Sequence, residues 1–144
     1  SRWYTEKIIM SYLFAQTPWK ETATEWHTLK DENKRFFRDI VKEIGHCPSA
    51  LYSISKLLND IGSSYLTDGV SWISYMLGNN KELLDAKLET NTLYYLENLV
   101  KKYVYENREE IKRTKKLKQN VLLILDFLTE RSSVVGYLLR ENML

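Results

Sequence analysis

The sequence predicts an all-α chain built from antiparallel helical hairpins. Three observations carry that reading. Apolar residues recur at spacings of three and four along most of the length, the period of one face of a helix. Only five Gly and two Pro punctuate 144 residues, whereas a β-sandwich or a βαβ array would show turn signals every ~8–12 residues. The balance of 44% hydrophobic and 28% charged residues is that of a folded chain, and at this length roughly 68–70% of the unfolded surface can be buried without staples.

The same composition limits the functional classes. A net charge of +2 is too mild to imply nucleic acid by itself. The single Cys47 can form no internal disulfide, and a structural zinc site would need several Cys or His ligands. A reducing, cytoplasmic setting is therefore expected, with no metal and no cofactor. The apolar run Val121–Leu125 is cut by Asp126 and falls far short of the ~20 residues needed to span a bilayer. At the start, Arg2, Glu6 and Lys7 flank a short apolar run that is not a signal-peptide pattern. The chain opens on Ser1 rather than Met and stops at Leu144 inside a helical pattern. Residues 1–144 are expected to be one helical domain excised from a longer protein.

Each element has its own signal. Trp3, Tyr4, Ile8, Tyr12 and Ala15 predict a helix over residues 2–16, closed by Thr17 and Pro18. Trp19, Ala23 and Trp26 predict another over 18–30. Asp31 suits the cap of a third, with Phe36, Phe37, Ile40, Val41 and Ile44 inward and Gly45 in a left-handed position at its end. These three form an N-terminal group, residues 1–45. Pro48 opens a hairpin over 48–79: Leu51, Ile54, Leu57, Leu58 and Ile61 on the first helix, a stop at Gly62, then Thr67 or Asp68 as cap for Val70, Ile73, Met76 and Leu77, with Gly78-Asn79-Asn80 as the next stop.

A second hairpin, 91–131, copies the first. At a shift of 42, Leu51, Tyr52, Ile54, Leu57 and Leu58 fall on Leu93, Tyr94, Leu96, Leu99 and Val100. At a shift of 51, Val70, Ile73, Met76 and Leu77 fall on Val121, Ile124, Phe127 and Leu128. A third unit, 133–144, begins at Ser133, with Val135 and Leu138 again 42 beyond Leu93 and Leu96. A period of about 40–47 residues belongs to helical-pair solenoids. The motif Pro-x-Ala-Leu-x-x-Ile-x-x-Leu-Leu-x-x-Ile-Gly at 48–62 resembles the first helix of a HEAT-type repeat, and the resemblance extends over 48–131. It implies a stretch of α-solenoid, acting as a scaffold that holds partners on a curved face or as a sensing arm of a larger enzyme. A compact bundle of the same helices is the alternative, since residues 1–45 hold no clear copy of the repeat.

The most distinctive chemical feature is basic. Lys101, Lys102, Arg108, Lys112, Arg113, Lys115, Lys116 and Lys118 stand against only Glu106, Glu109 and Glu110. On one continuous helix, Lys101, Arg108, Lys112 and Lys115 line a single face with Tyr105 among them. Such a stripe is first a solvated face, steadied by Glu109 four residues before Arg113. It is otherwise a surface for an acidic protein, or a nucleic-acid-binding arm. Lys116 belongs to the same run, and the repeated Tyr52 and Tyr94 are candidate anchors for a protein partner. His46 and Cys47 are adjacent at a helix boundary, which is poor geometry for a thiol and its base. No paired carboxylates share a face outside the basic run, and no phosphate loop is present. The expectation is a non-catalytic module that binds another protein or another domain of its parent chain.

Overall fold

The computed structural model describes residues 31–61 and 66–143. The two helices expected over 2–30, with Trp3, Trp19 and Trp26, lie outside the described residues, as does Gly62. Eight helices and no strand are found among the described residues: α1 (Asp31–Ile44), α2 (Pro48–Ile61), α3 (Leu66–Asn79), α4 (Glu82–Asp85), α5 (Thr92–Glu106), α6 (Arg108–Arg113), α7 (Lys115–Glu130) and α8 (Val134–Met143). The short α4 lies between the two expected hairpins, the first ending at 79 and the second beginning at 91, where the sequence reading places no helix.

Apolar spacing is what brings the helices together. Leu51, Ile54 and Leu58 turn one side of α2 inward, and Leu96, Leu99, Val100 and Tyr103 do the same for α5. Val70, Ile73, Met76 and Leu77 of α3 are buried, as are Val121, Ile124, Phe127 and Leu128 of α7, so the positions paired at a shift of 51 have the same environment. All of these join one core with Val41 and Ile44 of α1. Helix α2 packs on α3 and α5, and α3 packs on α1, α5 and α7. Helix α5 also meets α7 and α8, and α7 carries α6 and α8.

Close approaches explain the glycines better than turn geometry does. Gly45 does not take the left-handed conformation suggested by its place after α1; a side chain there would meet the Val41 carbonyl oxygen at 2.8 Å and Met76 Cγ at 3.2 Å. Helix α3 runs to Asn79, so it ends within the expected Gly78-Asn79-Asn80 stretch. That end is made by Asn79 and Asn80, whose side-chain amides donate to the carbonyls of Tyr75 and Met76 at 2.8 and 2.9 Å. These satisfy acceptors that a helix end otherwise leaves open.

Helix α8 departs from the expected register. Leu138, matched by sequence to the buried Leu96, is 54% exposed. Gly136, Leu139 and Met143 face inward instead, forty residues beyond Leu96, Leu99 and Tyr103. The cause is Gly136, where a Cβ would stand 2.6 Å from Leu128 Cβ, so α8 presents its one side-chain-free position to α7. Ser133 holds the start of α8: its hydroxyl accepts from the Gly136 amide at 2.9 Å and donates to Glu97 of α5 at 2.9 Å. Arg140 closes the other end on Asp126 of α7.

Candidate protein-binding groove

The basic run does not form one stripe. Helix α5 ends at Glu106, where Asn107 leaves helical geometry and its side-chain amide donates to the Tyr103 carbonyl at 3.0 Å. Thr114 is extended (φ −113°, ψ 105°) and separates α6 from α7. Both breaks are changes of backbone angle and not losses of hydrogen bonds: the Asn107 and Thr114 amides still donate to the carbonyls of Tyr103 and Glu110, each at 3.0 Å. The expected facing of Lys101, Tyr105, Arg108, Lys112 and Lys115 along one helix is therefore lost. The ion pairs change too: Glu109 pairs with Lys112 at 3.9 Å and Glu110 with Arg113 at 3.1 Å, both three residues apart, in place of Glu109 with Arg113.

The pieces go to different places. Lys101 stays exposed on α5, and Tyr105 is 81% exposed. Arg108, Lys112 and Lys118 edge a cleft of about 330 Å³ floored by Val104, Ile111, Leu139 and Met143. Lys115 is exposed at the start of α7. Lys116 alone reaches the larger groove, described next. On the α2–α5 side, Tyr52 and Tyr95 rings lie 5.9 Å apart, and Tyr95 meets Tyr94 edge-on at 5.8 Å. Tyr52 is thus half-buried in an aromatic cluster, while Tyr94 is 56% exposed.

The larger groove, about 570 Å³, lies between α1, α3 and α7. Helical spacing builds it. Ser71, Ser74, Tyr75 and Gly78 form one ridge of α3, and Lys116, Gln119, Asn120 and Leu123 form the matching ridge of α7. Arg38, Val41 and Lys42 supply the α1 wall, and Trp72 adds an aromatic body. The Ser74 hydroxyl donates to the side-chain carbonyl of Asn120 at 3.1 Å, tying α3 to α7 beneath the groove. Gly78 leaves room for Leu123, whose Cδ2 would lie 3.2 Å from a Cβ at that position.

Its electrostatics have one sign. Arg38, Lys42 and Lys116 are exposed cations on the lining, and among the described residues no carboxylate lines it. Lys42 holds its ammonium 5.4 Å from the centre of the Tyr75 ring, a contact that orients the charge without neutralising it. Arg38, Lys42 and Lys116 make no ion pair with a described carboxylate. Sequence reasoning missed this site because its residues come from three helices, the first and last of them more than 70 positions apart, and only Lys116 belongs to a visible charge run.

No group of three or more His, Cys, Asp or Glu side chains converges among the described residues. His46 and Cys47 occupy the α1–α2 junction, with Cys47 half-buried against the core. No helix among the described residues is long and apolar enough to cross a membrane. No family model matches the chain, and no curated protein is similar to it in sequence.

Proposed function

We propose that this chain is a stretch of HEAT-like α-solenoid that holds a segment of another protein, or of another domain of its parent, in the α1–α3–α7 groove, and performs no chemistry of its own. What supports the solenoid reading is the pattern of contacts. Helix α2 meets α5 and α5 meets α8, while α1 meets α3 and α3 meets α7. These are the neighbours expected of two stacked rows of helices, in which each pair buries its apolar side against the next. The half-buried single Cys47 fits a reducing compartment, and on that ground we place the molecule in the cytoplasm.

The observation that carries the binding reading is the groove itself, an open trough with apolar lining and three cations that pair with no carboxylate among the described residues. A nucleic-acid arm along residues 101–118 draws less support, because that run is divided among three helices and only Arg108, Lys112 and Lys118 share a cleft. Photo-crosslinking tests the choice. A benzophenone side chain replacing Tyr75 should yield one discrete adduct in cells, whereas one replacing the outlying Tyr105 should not. The Tyr75 adduct should vanish when Lys42 and Lys116 are both changed to Glu. Adducts at Tyr105 with none at Tyr75 would remove the groove as the working surface.

A further inference from the structure

We infer that the occupant of the α1–α3–α7 groove is an acidic amphipathic α-helix. The inference rests on the reading of the groove as a protein-binding surface and names the chemistry of its ligand. Charge comes first. Arg38 and Lys42 stand on the α1 wall and Lys116 on the α7 wall, so cations flank both sides of the trough. A partner must bring carboxylates to both flanks of its own contact strip. The lining also holds Trp72 and Leu123, with Val41 buried at the α1 wall, and these call for apolar side chains on the partner. Carboxylates on either side of an apolar stripe at three- and four-residue spacing describe one face of a helix.

Backbone chemistry points the same way. An extended peptide normally gains affinity by adding a strand to a sheet edge, and the described residues contain no strand to extend. A helix satisfies its own amides and carbonyls and needs only side-chain contacts. The hydroxyls and amides of Ser71, Asn79 and Gln119 then serve the rim. Nucleic acid fits less well. Stacking of a base on Tyr75 competes with Lys42, which already occupies a position over that ring.

The test is fluorescence anisotropy on the 144-residue chain. The probe is a labelled helical peptide of about 20 residues with Leu along one face and Glu on both flanks of it. Matched peptides carry Gln or Lys in place of Glu, and a labelled single strand and a duplex of about 20 nucleotides complete the set. The Glu peptide should bind, and the Gln peptide should bind about tenfold or more weakly. Changing Lys42→Glu with Lys116→Glu should cost the Glu peptide a similar factor and gain binding of the Lys peptide, a reversal that misfolding cannot produce. Lys101→Glu with Lys102→Glu, outside the groove, should change nothing. Equal binding of Glu and Gln peptides, or indifference to the groove variant, overturns the inference. So does oligonucleotide binding that is tighter than the Glu peptide's and is lost in the same variant. If no peptide binds while the Tyr75 crosslink persists, the acidic helix is wrong and the groove still stands; if both fail, the reading of the groove falls with it.

Discussion

The Arg131 guanidinium reaches back across 48 positions to donate to the main-chain carbonyl of Leu83 at 2.9 Å. The same group donates to the Leu84 carbonyl at 2.6 Å and lies 4.1 Å from the centre of the Phe127 ring. A four-residue helix such as α4 cannot satisfy its own carbonyls, so Arg131 acts as its external cap. Leu83 beneath it is fully buried.

Replacing Arg131 with Ala should lower unfolding stability by about 1–3 kcal/mol, the range for hydrogen bonds to a charged donor. Urea denaturation reads that loss. Amide hydrogen exchange should quicken over residues 81–90 and leave α5 unchanged. Arg131→Lys should recover only part of the loss, since one ammonium cannot reproduce the planar fork.

Gly136→Ala places a methyl against Leu128 Cβ, an atom that no side-chain rotation can move away. The gain in helix propensity offsets part of the clash, and a net destabilisation of about 1–2 kcal/mol is expected. Gly78→Ala meets only the end of the exposed Leu123 side chain and should be neutral or slightly stabilising. Thermal melts of the two variants side by side check the contrast.

Ile73 and Ile124 are both fully buried and occupy matching places on α3 and α7. Truncation of either to Ala should cost about 2–5 kcal/mol. The two losses should agree within about 1 kcal/mol if the environments correspond as burial indicates, given how far such costs vary between unlike sites. A disparity of several-fold would argue that the two helices are not equivalent units.

Tyr103 is buried, and burial raises the pKa of its hydroxyl, with the nearby Glu110 carboxylate acting in the same direction and a side-chain hydrogen bond with Thr67 opposing both. The folded state therefore holds this proton more tightly than the unfolded chain, whose tyrosine titrates near pH ~10. The contribution to stability is complete below that value and is lost as pH rises through the folded pKa. Stability measured by denaturant at stepped alkaline pH should decline in this range. Tyr103→Phe should show a shallower decline than the unaltered chain.

Helical character was legible in the residues, because three-and-four spacing of large apolar side chains leaves few other ways to bury them. The paired faces of α3 and α7 could be read at a shift of 51, since Val70, Ile73, Met76 and Leu77 and their counterparts all lie inside. The site was less legible. Lys116 was visible as part of a charge run, but Arg38 and Lys42 stand on α1 among Asp39 and Glu43, and nothing local marks them as lining a groove. Sequence spacing also treated 101–118 as one rod, although the backbone leaves helical angles at Asn107 and Thr114.

What the sequence determined by itself was local: which segments coil, and which side of most of them seeks the core, because those follow from side-chain size and period along one chain. What only the tertiary structure decided was relational. The turn of α8 about its axis depends on Gly136 meeting Leu128 of another helix, which overrode the match of Leu138 to Leu96. The groove depends on α1, α3 and α7 lying side by side, where Arg38, Lys42 and Lys116 come to share one trough. Charges so distant in the chain acquire a common field only through packing, and packing is settled by contacts that no single helix contains.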